Sequence, residues 1–300
     1  MTTALITHDA CYDHVTPNGH PEQVARLDAV LGALRDMDLL RVKAPLGAED
    51  DILLAHPKAH VTAIREAAPN SGWRSLDADT HMSVGTLEAA FRCVGGVTRA
   101  VDMVMGGEAK NAFVAMRPPG HHAERETPMG FCFFGNVAIA AKYAIAHHGL
   151  SRVAIVDFDV HHGNGTQDLV EDDARILFCS THQSPLYPGT GMAHEVGVDN
   201  VVNCPLPEGA GSKAFRDVMA RVVLPRVDAF SPQILIISAG FDAHQADPLA
   251  GMNLTEDDFA WVTEKLCDLA DRHCKGRVVS SLEGGYDLVA LGASAAAHVT

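Results

Sequence analysis

The 300-residue chain predicts an α/β fold with a mostly parallel sheet. Short β-rich runs alternate with longer helical patterns, which implies repeated βαβ units. Runs such as Ile234-Leu235-Ile236-Ile237 are apolar throughout, as expected of strands covered on both faces. Several of these runs end abruptly in ionisable residues, at the place where open parallel sheets put their chemistry.

In chain order, Ala4–Thr7 reads as the first strand and Glu22–Met37 as the first helix. A long helical pattern over Thr86–Met105 leads to a strand at Ala112–Ala115, and Gly135–His147 to one at Val153–Asp157. Ile176–Ser180 and Val201–Cys204 are short apolar strands, followed by a helix over Ser212–Val227. Ile234–Ser238, the helix Glu256–Arg272 and Val278–Leu282 repeat the unit, and a last helix follows Tyr286. No repeat, low-complexity tract or linker divides the chain, so residues 1–300 are expected to form a single domain. Residues 116–131 and 181–200 are rich in Pro, Gly and His, and loops of that length usually have a role. The stretch from Ser294 to Thr300 reads as an unfinished helix, as if the natural chain continued slightly further.

The composition, 47% hydrophobic and 20% charged, is that of a globular protein with a large core. A formal net charge of −15 disfavours nucleic acid and anionic membrane as partners, both of which need basic patches. It mildly favours cationic substrates, although solubility alone accounts for it. The seven cysteines, at 11, 93, 132, 179, 204, 267 and 274, show no CxxC spacing and read as reduced core thiols. The N-terminal residues lack the basic flank and length of a signal peptide, and no stretch of about 20 apolar residues spans a membrane. A cytoplasmic protein is expected, and a homo-oligomer is allowed.

The apolar run Val153-Ala154-Ile155-Val156 ends in Asp157-Phe158-Asp159-Val160-His161-His162-Gly163-Asn164-Gly165. In extended backbone alternate side chains share a face, so Asp159 and His161 can reach one cation together. Oxygen with imidazole nitrogen suits zinc, and also iron or manganese. Three more strands run into polar loops: Arg117-Pro118-Pro119-Gly120-His121-His122, Gly240-Phe241-Asp242 through Asp247-Pro248, and Glu283-Gly284-Gly285-Tyr286. A catalytic zinc takes three protein ligands and keeps one open position. The third ligand is Asp247 or Asp242, and the residues alone do not separate them. Adjacent His121 and His122 diverge, so they suit a general base and a supporting imidazole better than a chelate. Asp157 and Asn164 are placed to fix their tautomers. Tyr286, after two glycines, can donate to a developing oxyanion.

Together these segments resemble the histone deacetylase and acetylpolyamine amidohydrolase family, of the arginase-deacetylase fold. The resemblance runs from Gly19-His20-Pro21-Glu22 with Arg26, through Arg117–Ala123, Gly130-Phe131-Cys132-Phe133-Phe134 and Asp157–Gly165, to Asp247-Pro248-Leu249 and Glu283–Tyr286. It implies a sheet of about eight strands and one catalytic Zn²⁺ held by Asp159, His161 and Asp247. It implies His122 as base and then acid, His121 with Asp157 as electrostatic support, and Tyr286 as oxyanion donor. Gly130, Phe131 and Tyr187 would wall a tunnel for the acyl-amine stem. Asp157, Asp159, His161, Ser180 and Thr181 would hold K⁺, and a second such site of backbone carbonyls would lie near residues 170–176.

Asn164 stands where class I deacetylases carry Asp, which resembles class II enzymes and their bacterial relatives. Tyr187 stands where many relatives carry Phe. Leu254 is read as the tunnel position at which polyamine-selective relatives carry Glu, which argues against a polyamine gate there. The expected activity is zinc-dependent hydrolysis of acetyl-lysine or another N-acyl amine to acetate and free amine, with acetylpolyamine as the alternative substrate. An arginase-like ureohydrolase would need a second metal with additional Asp ligands, and a non-catalytic acetyl-lysine binder would lack a ligand, base or Tyr.

Overall fold

The computed structural model describes residues 2–300. Its main sheet has eight strands: β1 (Ala4–Thr7), β2 (Leu40–Lys43), β5 (Asn111–Val114), β6 (Val153–Asp157), β7 (Ile176–Gln183), β8 (Val201–Leu206), β9 (Ile234–Ala239) and β10 (Val278–Leu282). Their order is β2-β1-β5-β10-β9-β6-β7-β8, and every neighbouring pair is parallel. A two-stranded antiparallel ribbon, β3 (Trp73–Ser75) and β4 (His81–Ser83), stands apart.

The central strands β6, β7, β9 and β10 are buried along their whole length. Alternate residues feed two separate cores. Val153, Ile155, Ile234 and Ile236 pack against α4 (Thr86–Gly106) and α5 (Asn136–His148). Ala154, Val156, Leu235 and Ile237 pack against α9 (Glu256–Cys274) and α10 (Leu288–Val299), with α1 (Ala25–Ala33) alongside. This two-sided burial is why the strands open on continuous apolar runs and are readable from sequence, with polar residues entering towards their carboxyl ends.

Elements without that signature are the ones the sequence did not reveal. β2 is an edge strand, Leu-Arg-Val-Lys, with its side chains mostly in solvent. The short helices α2 (Glu49–Ile52), α3 (Lys58–Ala67) and α6 (Asn164–Val170) lie in segments to which the sequence pattern assigned no element. The first helix begins at Ala25 rather than Glu22, because Glu22 is drawn into a buried ion network. The helix expected over 212–227 is α7 (Ser212–Val218), a π-helical turn over Met219–Val223, and α8 (Leu224–Phe230). Pro225 lies in the first turn of α8 and has no N–H to donate back, so the ladder shifts register there. No described helix is long and apolar enough to cross a membrane.

Candidate metal centre and active site

β5, β10, β9 and β6 are neighbours in the sheet, so the four polar loops that follow them meet beyond its carboxyl edge. Ligand atoms of Asp159, His161 and Asp242 lie within 4.8 Å of one another, and all three residues are buried. His161 Nδ1 is 3.2 Å from Asp159 Oδ1 and 3.0 Å from Asp242 Oδ2. Burial opposes charge on this imidazole, but its bonds to Asp159 and Asp242 outweigh that and push its pKa up to about 10. Burial, reinforced by the Asp159 charge, pushes the Asp242 carboxyl up to about 7. No Lys or Arg among the described residues pairs with either carboxylate of the cluster. Two carboxylates and one imidazole nitrogen form a donor set that fits Zn²⁺.

The third member is Asp242, and the expectation of Asp247 is corrected. Asp247 Oδ2 accepts the Tyr286 N–H at 2.7 Å, and its Oδ1 accepts the Leu249 N–H at 3.0 Å. Its carboxylate therefore braces two loops rather than facing His161. Asp242 is held by the Val160 N–H, 2.8 Å from its Oδ1, so the loop after β9 is laced directly to the Asp159-Val160-His161 segment. Glycines allow this convergence: a Cβ at Gly240 would overlap the Asp159 carboxylate, and one at Gly284 would overlap that of Asp242. Gly284 N–H also donates to Asp159 Oδ2 at 2.8 Å.

The rings of the two histidines of the 117–124 loop lie against each other rather than diverging, centres 4.0 Å apart and tilted by 45°, but they bond different partners. His121 Nδ1 is 3.0 Å from Asp157 Oδ2, and the Asp159 and Asp157 charges overcome burial to hold its pKa well above the usual range. His122 Nδ1 is 2.7 Å from Asn164 Oδ1. Asn164 Nδ2 donates to Glu124 Oε1 at 2.7 Å, and a carboxylate only accepts. That orients the amide, puts the His122 proton on Nδ1 and leaves the Nε2 lone pair free. Burial, then the neighbouring His121 and His161, keeps His122 well below the usual imidazole range, hence neutral. Glu283 positions the whole loop: its Oε2 accepts the N–H groups of Gly120 and His121 at 2.7 and 3.1 Å.

A cavity of about 350 Å³ leads from solvent to this cluster. His122, His161, Tyr286, Gly130, Phe131 and Tyr187 line it, as expected for a tunnel. Phe131 is left-handed at φ 70°, and its N–H donates to Thr80 Oγ1 at 3.2 Å. A Cβ at Gly130 would meet the His122 ring at 2.5 Å, so only glycine lets the wall approach the base. Leu254 is not in the tunnel, and that expectation is corrected: it is fully buried in the core with Phe241 and Phe259, its backbone paired with Ala243 and Gln245. Leu249 takes a place in the wall instead, so residue 254 carries no information about substrate. His20, Pro21 and Asp79 also line the cavity and were missed. They come from loops distant in sequence, although His20-Pro21 lies in a motif already noted.

Around the expected first K⁺ position, the carbonyls of buried Asp159 and His161 accept no hydrogen bond from a described N–H group. Thr181 Oγ1 is buried without a partner, while Ser180 Oγ bonds His182 Nδ1 at 2.9 Å. Unspent buried oxygens beside the Asp157 carboxylate fit a monovalent cation.

Residues 20–300 match the histone deacetylase domain. The chain is 37% identical over 298 residues to a probable deacetylase of Archaeoglobus fulgidus, covering 96% of this chain and 82% of that one. It is 40% identical over 272 residues to a histone deacetylase-like amidohydrolase of Pseudomonas aeruginosa, covering 89% and 71%. The crystal structure of the HDA15 HD domain is similar with a TM-score of 0.94 at 35% identity, over 99% of this chain and 90% of that one.

Proposed function

The chain belongs to the histone deacetylase family, hydrolases of amide bonds in N-acylated amines, and from that premise we propose a Zn²⁺-dependent deacetylase of the class II type acting on acetyl-lysine or a similar N-acyl amine. One observation carries this reading: the buried Asp159–His161–Asp242 cluster lies at the end of a cavity that also presents the free Nε2 of His122 and the Tyr286 side chain. Zn²⁺ bound by the three ligands would polarise the acyl carbonyl and lower the pKa of attacking water to roughly 7.

The chain's own residues do the rest. His122 Nε2 takes the proton of the attacking water and returns it to the departing amine. The neutral Asn164 amide, in place of a carboxylate, supports this imidazole without locking it in the charged form. Tyr286 donates a hydrogen bond from its hydroxyl to the oxygen that becomes negative. His121, kept charged by Asp157, adds positive potential beside the reacting atoms. Phe131 and Tyr187 enclose the apolar stem and exclude water from it. A monovalent cation at Asp157, Ser180 and Thr181 would brace the β6 loop that presents the zinc ligands.

The test is acetate release by the purified protein from acetyl-lysine peptides, acetylated polyamines and small N-acyl amines. Release that a chelator abolishes and Zn²⁺ restores is expected. Binding of acetyl-lysine peptide without release from any substrate would overturn the hydrolytic reading in favour of a binder.

A further inference from the structure

Away from the reacting atoms, three backbone carbonyls converge on one point. Val170 ends α6, Asp173 lies in the turn after it, and Ile176 opens β7. Their oxygens are 2.8, 3.1 and 2.8 Å from a single atom, Asn200 Nδ2. The orientation of this amide is set by its other end, because Val198 N–H donates to Asn200 Oδ1 at 3.1 Å. Gly197 makes room for it: the residue is left-handed at φ +56°, and a Cβ there would lie 2.5 Å from Asn200 Oδ1 and 2.7 Å from the Glu171 carbonyl. Asn200 is 3% exposed, and its own carbonyl is spent on the Phe178 N–H at 2.8 Å.

Converging carbonyls at a helix C-terminus are an electronegative cage of the kind that takes a desolvated cation. The family resemblance led us to expect a second monovalent ion at these residues. The cage does not fit one, because the amide nitrogen already stands at its centre. An NH₂ group brings two partly positive hydrogens to three oxygens, shared between them, and an ion cannot occupy the same point.

We propose that the Asn200 side chain replaces the second structural cation, so that the junction of α6, β7 and β8 is built without an ion. The chain then holds at most one monovalent cation, in the Asp157–Ser180 region. The inference concerns the scaffold and is independent of the reaction proposed above.

Two measurements test it. The first is the count of K⁺ bound per wild-type chain after equilibrium dialysis. One or none is expected, and two would overturn the proposal. The second compares Tm against KCl, at ionic strength held constant with choline chloride, for wild type and Asn200→Gly. The variant is expected to be destabilised in choline and to recover by roughly 2–4 °C or more as K⁺ enters the vacated cage, a component absent from wild type. Identical KCl dependence in both proteins would overturn it. Should Asn200→Gly fail to fold, the wild-type ion count still decides.

Discussion

The guanidinium of Arg26 lies 4.9 Å from the centre of the Tyr286 ring. Its Nε donates to the Gly285 carbonyl at 2.6 Å, and a second nitrogen donates to the Glu283 carbonyl. Arg26 is held in turn by Glu22, which also receives Arg117, and all three side chains are fully buried. The flexible Gly284-Gly285 step before Tyr286 is thus pinned by a planar donor fork that lysine cannot reproduce. Arg26→Lys is expected to lower kcat by on the order of tenfold, about 1.4 kcal/mol, with metal content unchanged and KM little affected. Arg26→Ala should cost about 3–5 kcal/mol of stability, since it removes one partner from a buried ion network. Steady-state kinetics and urea unfolding separate the two effects.

Tyr286→Phe removes the hydroxyl and leaves the ring against Phe131 and Arg26. Turnover should fall by about 10²–10³, the usual loss for one oxyanion donor, while zinc content stays at one per chain. Near-normal kcat would take Tyr286 out of the chemistry.

The two aspartates of the loop after β9 should separate cleanly. Asp242→Asn is expected to lose zinc, as read by metal analysis after dialysis. Asp247→Asn should keep it and show instead a lower kcat, because the carboxylate that holds the Tyr286 N–H is weakened. Zinc loss in the second variant and not the first would reverse the assignment made from geometry.

Leu254 and Leu249 form a similar pair. Leu254→Ala opens a cavity in the core and should cost about 2–5 kcal/mol with kcat/KM of the folded protein preserved. Leu249→Ala, in the tunnel wall, should leave stability nearly intact and change KM and substrate preference. Urea unfolding and kinetics on an acyl-amine panel check both.

Acid should weaken the fold through buried neutral histidines. Burial holds His298 at about 4, where it sits between Thr263 Oγ1 and Ser280 Oγ at 2.6 and 2.7 Å. An unfolded histidine titrates near 6.5, so between about 6.5 and 4 the unfolded chain binds more protons and stability falls as pH falls. This contribution is complete above roughly pH 6.5. Glu283, pushed up to about 7 chiefly by burial, acts with the opposite sign over the same range. The difference in unfolding free energy between wild type and His298→Gln, followed from pH 7.5 to pH 4.5, therefore isolates the histidine. It should shrink as pH falls, and a flat difference would refute the assignment.

What the sequence determined by itself was local. Asp159-Val160-His161 was legible as a candidate ligand pair because alternation along extended backbone needs no knowledge of the rest of the chain. The central strands were legible because burial on both faces makes their opening runs continuously apolar. His121 with Asp157, and His122 with Asn164, followed from a resemblance that reaches nearly end to end, and the structure joins both pairs. Tertiary structure alone decided what depends on where a loop points. Asp242 and Asp247 lie five positions apart on one loop with the same chemistry, and only the Val160 and Tyr286 amides that each accepts show which carboxylate faces His161. Leu254 and Leu249 differ in the same way, one turned into the core and the other to the tunnel. Asn200 looked like any polar residue before a strand, until folding brought three carbonyls around its amide. Side-chain direction in an irregular loop is fixed by hydrogen bonds to segments far away in sequence, and no local pattern encodes those bonds.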